Sequence, residues 1–305
     1  MRNLSIALFI FILLLFSTNI YAQEKTEHLF VDGLSREFVV YLPPGIDKTA
    51  KPPVIISLHG RLGTAEGQLK FADFRPIADR EKLIIVCPQG IDRSWNDGRG
   101  TPAHNKNIDD VEFIDSLIKY ITRTYNADDT RVYVTGMSNG GFMSSRLAVD
   151  LNNYIAAIAV VAASMDKSTM PETGSVMPVM YIQGTKDPLV PFAGGTMKKG
   201  GGGYIYGHEE ILKKWAAIDS CNDKPIVTRL PAQVNDGTSV IREEYFNSNG
   251  LRVIGYTIVD GGHTWPGGSQ YMPKFIVGSV SKNLNACEAI WEFFKPYRHT
   301  YVVYK

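Results

Sequence analysis

The sequence has little of several features that would assign it to a common class of protein. Its 305 residues carry 32 Lys and Arg against 31 Asp and Glu, and no basic patch stands out. That balance gives no support to nucleic-acid binding or to electrostatic attachment to a membrane. The chain also lacks internal repeats, and its glycine run at 200–203 is not followed by the Gly-Lys-Ser/Thr of a phosphate-binding loop. Nothing in the pattern implies a cofactor.

Residues 1–22 have the pattern of a cleaved signal peptide. Arg2 supplies a positive charge, residues 4–16 are almost wholly apolar, and Ala22 offers the small residue of a cleavage site. The apolar stretch is shorter than the ~20 residues of a membrane span, and no cysteine follows Ala22 to carry a lipid. We therefore expect a secreted or periplasmic protein without a stable membrane anchor, whose residues 23–305 form a single domain.

Apolar runs that read as buried strands alternate with helix-compatible segments along most of the chain. In the segment 109–125, apolar residues at 111, 114, 117, 118 and 121 have helical spacing. Such alternation predicts an α/β fold, with a mainly parallel central sheet and helices on both faces. We predict strands at 53–58, 83–87, 131–135, 154–163, 176–183 and 251–259, one or two antiparallel strands in 28–41, and helices at 71–81, 109–125, from about 142, at 208–220 and at 283–296.

A G-x-S-x-G motif is the strongest local signal. Residues 136–141 read GMSNGG and lie between a predicted strand and a predicted helix. That context describes a nucleophile elbow, in which a tight turn holds the Ser138 hydroxyl clear of the sheet. Gly136 and Gly140 have no Cβ, so neighbouring backbone can pass close by. The following helix would direct its free N–H groups toward charge developing at the serine.

Two strand-end loops can supply a base and an acid. His263 follows the strand 251–259 on a glycine-rich loop, from which it can take the proton of Ser138. Asp187 follows the strand 176–183, in a loop stiffened by two prolines, and can hold the histidine tautomer. Asp166 is the competing acid. The chain order of Ser138, Asp187 and His263 matches that of α/β hydrolases.

The loop after the strand 53–58 is a candidate oxyanion loop. It begins His59-Gly60, and the backbone N–H of Arg61, or that of Leu62 close behind, would point at the serine. Together with the N–H of Asn139 it would form a two-donor oxyanion hole. We expect His59 to hold its loop by hydrogen bonds instead of acting as the base.

Asp109 and Asp110 open the predicted helix 109–125. Carboxylates at a helix N-terminus cap free N–H groups and stabilise the dipole. A metal site is the alternative, but no His or Cys cluster lies nearby in the sequence. We therefore expect capping, and no metal site.

Six motifs carry a resemblance to a known family: HGRLG at 59–63, SWN at 94–96, IDDVEFI at 108–114, GMSNGG at 136–141, GTKDPLVP at 184–191 and GGHTWPGG at 261–268. Together they resemble the secreted polyhydroxybutyrate depolymerases and feruloyl and acetylxylan esterases of the α/β-hydrolase fold. The similarity runs from about residue 38 to about residue 294. It implies a carboxylic ester hydrolase whose triad is Ser138, Asp187 and His263.

The cysteines depart from that family's pattern. The chain has Cys87, Cys221 and Cys287, an odd number. Family members often pair the cysteine at the position of Cys221 with one shortly before the histidine strand, but residues 245–248 here contain none. Cys87 lies in a buried-type strand, where we expect an inert apolar residue. Whether Cys221 and Cys287 come close enough to pair stays open at this stage.

The family likeness leaves the acyl group open among feruloyl and acetyl esters of xylan and polyhydroxyalkanoate polyesters. Trp95 and Trp265 are candidate substrate walls, because an indole can stack on a sugar or pack on an acyl group. Two other functions compete: a serine peptidase of the same fold, and a catalytically idle hydrolase fold that binds carbohydrate. The oligomeric state is also open.

Overall fold

The computed structural model describes residues 21–170 and 176–299. Residues 1–20 of the expected signal peptide lie outside the described residues. In the described part, ten of the twelve strands form one sheet, and the two short strands β8 and β9 pair with each other. The strands are β1 (Gln23–Val31), β2 (Leu34–Leu42), β3 (Val54–Leu58), β4 (Ile84–Pro88), β5 (Val132–Met137), β6 (Ala157–Val161), β7 (Val179–Gly184), β8 (Gly195–Thr196), β9 (Tyr204–Ile205), β10 (Ile226–Arg229), β11 (Ser239–Phe246) and β12 (Arg252–Val259).

The large sheet has the order β1-β2-β4-β3-β5-β6-β7-β12-β11-β10. Its six central strands, β4 to β12 in that order, are parallel. The outer strands β1 and β2 on one side, and β11 and β10 on the other, pair antiparallel. Strands β3 to β7 are buried along their whole length, as expected for parallel strands covered on both faces. The prediction of a mainly parallel α/β sheet is therefore confirmed.

Helices cover both faces of the sheet. Side chains of β3 alternate between two cores, so that Val54 and Ile56 pack on one face and Ile55 on the other. The first core includes α4, α5 and α6, and the second includes α1, α2 and α8. The helices are α1 (Ala65–Phe71), α2 (Arg75–Glu81), α3 (Pro102–Asn105), α4 (Asp110–Thr124), α5 (Asn139–Asp150), α6 (His208–Ile218), α7 (Lys274–Val277) and α8 (Ala286–Phe294). None of the helices in the described part of the chain has the length and hydropathy that a membrane crossing requires.

The start of α4 shows what its two aspartates do. Asp109 caps the helix by accepting the backbone N–H of Glu112 at 2.9 Å. Asp110 is buried and pairs with buried Arg36 at 2.5 Å. Burial raises the pKa of Asp110, and the Arg36 guanidinium opposes that rise. Within residues 21–170 and 176–299 no group of three or more His, Cys, Asp or Glu side chains could hold a metal ion.

One helix differs from the sequence prediction. The helix expected at 71–81 begins only at Arg75, as α2 with Pro76 in its first turn, and the residues before it form a separate helix, α1, that ends at Phe71. Proline suits the first turn of a helix, where its missing N–H would have no partner in any case. The structure also answers the question left open for Cys221 and Cys287: they do not pair, and all three cysteines are free.

Parallel strands bring their carboxyl ends to one edge of the sheet. There β3 ends opposite β5, with Leu58 in register with Gly136. Further along the same edge, Gly184 at the end of β7 pairs with Ile258 of β12. The loops that carry the predicted site residues therefore all leave the sheet at this edge.

Candidate active site

Ser138 occupies a strained turn between β5 and α5. Its φ of 56° and ψ of −123° are unfavourable for a residue with a side chain. The turn is closely packed, and a Cβ at Gly140 would lie 2.3 Å from the Leu58 carbonyl oxygen. A Cβ at Gly136 would lie 2.5 Å from the Gly140 carbonyl. Both glycines of the motif are thus required by close backbone contacts.

His263 and Asp187 are joined by a hydrogen bond of 2.8 Å between Nδ1 and Oδ2. Both side chains are almost fully buried. The other carboxylate oxygen of Asp187 accepts the backbone N–H groups of Leu189 and Val190, each at 2.8 Å. The His263 backbone is itself held by an N–H donated to the Val277 carbonyl. The imidazole is therefore fixed on its Nδ1 side and by its backbone.

Asp166, the competing acid, is engaged elsewhere. One of its oxygens accepts the backbone N–H and the hydroxyl of Ser168, at 2.9 and 2.6 Å. The other accepts the backbone N–H of Tyr204 at 3.1 Å. The structure thus brings Asp187, and not Asp166, to His263.

Ser138 and His263 both line one pocket of about 550 Å³. Among the described residues, no hydrogen bond joins the serine hydroxyl to the imidazole. Catalytic contacts of this kind often tighten only when substrate binds. Most of the remaining lining is apolar, including Phe71, Phe142, Leu189, Val190, Met197 and Met272.

His59 has a structural role in its loop, as its sequence context indicates. Its Nε2 accepts the backbone N–H of Gly90 at 3.0 Å, so the ring proton sits on Nδ1 and is donated to the Gly60 carbonyl at 2.8 Å. Burial lowers the pKa of His59 to about 4. A neutral imidazole with both nitrogens occupied cannot serve as the base.

Two backbone N–H groups beside Ser138 are free to form an oxyanion hole, one on the loop after β3 and one at the start of α5. The N–H of Leu62 donates to the Arg93 carbonyl at 2.8 Å, which removes Leu62 as a donor to substrate. The N–H of Arg61 has no acceptor in the described part of the chain. Asn139 is the first residue of α5, where a backbone N–H has no partner within the helix. Arg61, Asn139 and Ser138 all line the pocket.

Neither tryptophan expected as a substrate wall reaches the pocket. Trp95 is fully buried, donates its indole N–H to the His59 carbonyl at 2.9 Å and packs on the His59 ring. Trp265 is 1% exposed and packs edge-on against Phe71 and Phe74. Both indoles are buried and contact residues that line the pocket, His59 and Phe71, which corrects the expectation of direct substrate contact.

Tyr271 and Met272 are two of the lining residues that no sequence motif indicated. They lie on the loop that follows the 261–268 motif, and both are 40% exposed. The Tyr271 hydroxyl donates to the His263 carbonyl at 3.0 Å, which ties this part of the wall to the histidine loop. No local pattern marks such residues, because their role depends on how the loop folds back.

Comparison with known proteins decides the family. The family model described as "Esterase PHB depolymerase" matches residues 36–196, which is more than half of the chain. The chain belongs to this esterase family. The matched segment includes Ser138 and Asp187 and ends before His263.

Relatives of this esterase extend the match over nearly the whole chain. NocK of Nocardia uniformis subsp. tsuyamanensis, which bears a provisional esterase name, is 27% identical over 89% of this chain and 83% of its own. Feruloyl esterase C of Emericella nidulans is 26% identical over 85% and 83%. The structure of an acetyl xylan esterase from Aspergillus awamori covers 90% of this chain and 99% of its own, with a TM-score of 0.60 and 16% identity, and so supports the α/β-hydrolase fold. This chain is a carboxylic ester hydrolase.

Proposed function

We propose that this esterase works through a Ser138–His263–Asp187 triad and an acyl-enzyme. The observation that carries the proposal is the 2.8 Å bond from Asp187 to the Nδ1 side of His263, in the pocket that also contains the strained elbow serine. Asp187 keeps the proton on Nδ1, which leaves Nε2 as the acceptor of the serine proton.

The reaction would then proceed in two steps. Ser138 attacks the ester carbonyl while His263 takes its proton, and the backbone N–H groups of Asn139 and Arg61 stabilise the oxyanion. His263 next returns the proton to the departing alcohol. Water, activated by the same imidazole, attacks the acyl-enzyme and releases the acid. All of this chemistry uses side chains and backbone groups, so the mechanism calls for no cofactor.

The substrates we propose are feruloyl or acetyl esters of xylan, or a polyhydroxyalkanoate polyester. The names of the relatives support the first two and the family description supports the third. The pocket volume of about 550 Å³ and its apolar lining suit an acyl group larger than acetyl. A feruloyl ester is therefore the first substrate to test.

We also propose that residues 23–305 form one domain and that the protein is exported. Both faces of the one large sheet are covered by helices drawn from the whole chain, which supports a single unit. The charged, apolar and small residues of 1–22, in that order, support a cleaved signal peptide. Mass spectrometry of the N-terminal peptide from its native host, separately from periplasm and from culture medium, tests both the cleavage after Ala22 and the destination.

Hydrolysis of p-nitrophenyl acetate by the wild type and by Ser138→Ala tests the mechanism. We expect Ser138→Ala to lose at least 10³-fold in kcat. Ser144→Ala is the matched control, because Ser144 lies in α5 and donates to the Gly140 carbonyl of the helix's own first turn. Undiminished hydrolysis by Ser138→Ala would refute the triad. Faster cleavage of a matched anilide than of the ester would favour the peptidase alternative.

A side-by-side product assay decides the substrate. Feruloylated xylan, acetylated xylan and short polyhydroxybutyrate are each incubated with the wild type and with Ser138→Ala. Release of ferulate at the highest kcat/KM would support the proposal. Binding to xylan with no product from any polymer would favour the idle carbohydrate-binding alternative.

A further inference from the structure

Asn139 supplies the site with a backbone N–H, and its side chain is held by three hydrogen bonds. Its Oδ1 accepts the backbone N–H of Trp95 at 2.7 Å. Its Nδ2 donates to the Trp95 carbonyl at 3.0 Å and to Asp97 Oδ2 at 2.7 Å. The amide is 3% exposed, and all of its hydrogen-bonding groups have partners. The side chain therefore has one orientation.

Asp97 is the charged member of this cluster. Its carboxylate pairs with the Arg99 guanidinium, at 2.6 Å to Nη2 and 3.2 Å to Nε. Both side chains are at most 1% exposed. Because an ionised carboxylate only accepts hydrogen bonds, it forces the Asn139 amide to turn its NH₂ toward Asp97 and its oxygen toward Trp95.

Arg99 links the same carboxylate to the wall of the pocket. Its guanidinium carbon lies 3.4 Å from the centre of the Phe142 ring, and Nη1 lies 2.9 Å from Met197 Sδ. Phe142, Met197 and Arg99 all line the pocket. Asp97 thus connects a residue beside the nucleophile with a residue of the apolar wall.

We propose that Asp97 is a positioning residue for ester hydrolysis, acting through the side chain of Asn139. The Asn139 N–H belongs to the peptide between Ser138 and Asn139, and the plane of that peptide depends on the strained ψ of Ser138, −123°. Fixing the Asn139 side chain fixes that plane and aims the N–H at the oxyanion. The inference rests on the proposed triad mechanism.

A double-mutant cycle tests the coupling. Asp97→Asn keeps the shape and removes the charge, and Asn139→Ala removes the side chain while keeping the backbone N–H. We expect each to lower kcat by roughly 10- to 100-fold with KM changed by less than about threefold. If Asp97 acts through Asn139, the double variant is no slower than the slower single variant. Losses that multiply, or an unchanged kcat in Asp97→Asn, would overturn the proposal.

The inhibition constant of a boronic acid is a second measurement, and a simple loss of stability would not change it. An arylboronic acid forms a tetrahedral adduct on the serine and needs the oxyanion N–H groups, whereas the product acid binds without that geometry. We expect the Ki of the boronic acid to rise in Asp97→Asn in parallel with the loss in kcat. The Ki of ferulate is expected to stay the same. A parallel rise of both constants would mean general disorder of the pocket and would overturn the proposal.

Asp97→Asn leaves the buried Arg99 charge unpaired and can unfold the protein. The double variant Asp97→Asn/Arg99→Met removes both charges, so that no buried charge is left unpaired. It is expected to fold and still to show the reduced kcat. Recovery of wild-type kcat would mean that Asp97 only neutralises Arg99, and would overturn the proposal.

Asp128→Asn is the control for the loss of an ion pair outside the site, here with partly exposed partners. Asp128 pairs with Arg131 and Arg298 at 2.7 and 2.8 Å, ahead of the opposite end of β5 from Ser138. The substitution Asp128→Asn should lower the Tm and leave kcat unchanged. Ser138→Ala distinguishes a failure of the triad mechanism from a failure of the positioning role. If Ser138→Ala is inactive while Asp97→Asn keeps the wild-type kcat, only the positioning role of Asp97 is wrong.

Discussion

Asp187 accepts three hydrogen bonds through its two carboxylate oxygens, and one of them comes from His263 Nδ1 at 2.8 Å. The other two, from backbone N–H groups of its own loop, are the contacts of an ordinary capping aspartate. One residue therefore caps a turn and orients an imidazole. The cap fixes the carboxylate before substrate arrives, so that no side-chain reorganisation is needed during catalysis.

Asp187→Asn should lower kcat by about 10⁴-fold, because an amide in this place allows the histidine to take the wrong tautomer. The measurement is kcat for an aryl ester at pH 7. Asp166→Asn is the matched control, since Asp166 binds Ser168 and Tyr204 and does not contact His263. It should keep kcat within a few-fold. Comparable losses in the two variants would contradict the assignment of the acid.

We expect substitutions of Tyr271 and Trp265 to have different effects on KM and Tm. Tyr271 lines the pocket and is 40% exposed, whereas Trp265 is 1% exposed and is not part of the lining. Tyr271→Ala should raise the KM of a feruloyl ester several-fold and have a small effect on the Tm. Trp265→Phe should lower the Tm and leave KM unchanged, because it alters only packing. The reverse pattern in KM would restore Trp265 as a substrate wall.

His208 predicts a pH-dependent loss of stability. It is fully buried against Phe192, and neither ring nitrogen has a hydrogen-bond partner among the described residues. Burial lowers the pKa of His208 to about 4, from an ordinary value of 6.5. As the pH falls from 6.5 to 4, the unfolded chain takes up a proton that the folded chain refuses, so stability is lost across that window.

Replacing His208 isolates this effect from the other titrating groups. Relative to His208→Leu, the wild type should lose on the order of 3 kcal/mol of unfolding free energy between pH 7 and pH 4. Urea denaturation of both proteins at several pH values gives the difference. A difference that does not change with pH would mean that the imidazole has the same pKa in the folded and the unfolded chain, and would contradict the prediction.

Because the three cysteines are free, we expect reducing agents to affect neither the activity nor the stability of the protein. Burial raises the pKa of Cys87 and raises that of Cys287 to about 12, so both thiols should react slowly in the native protein. Dithiothreitol should change neither kcat nor Tm, and thiol titration in denaturant should count three groups per chain. A count of one, with a Tm that falls on reduction, would show a disulfide that the structure lacks.

How much of the fold the sequence predicts depends on local pattern. The buried parallel strands are apolar throughout, so the central strands and the α/β class follow from the sequence alone. Strands at the side of the sheet are harder to predict. Strand β10 (Ile226–Arg229) is exposed along its whole length and β11 is only partly buried, so the apolar pattern indicates neither of them. An edge strand is recognisable mainly from the neighbour with which it pairs.

The candidate site divides in the same way. Ser138, Asp187 and His263 sit in motifs whose spacing carries their chemistry, and the structure brings Asp187 to His263. The prediction that Trp95 and Trp265 form substrate walls was wrong, because an indole near a catalytic motif in sequence can face either the pocket or the core. Asp97 was missed for a related reason: its importance lies in contacts with Asn139, 42 positions away along the chain.

Covalent labelling tests the central claim most directly. A fluorophosphonate probe is incubated with the wild type, with Ser138→Ala and with His263→Ala, and the modified peptide is identified by mass spectrometry. The mechanism predicts one adduct, on Ser138 in the wild type, strongly slowed labelling in His263→Ala and none at the substituted position. An adduct on another residue, together with ester hydrolysis by Ser138→Ala at the wild-type rate, would contradict it.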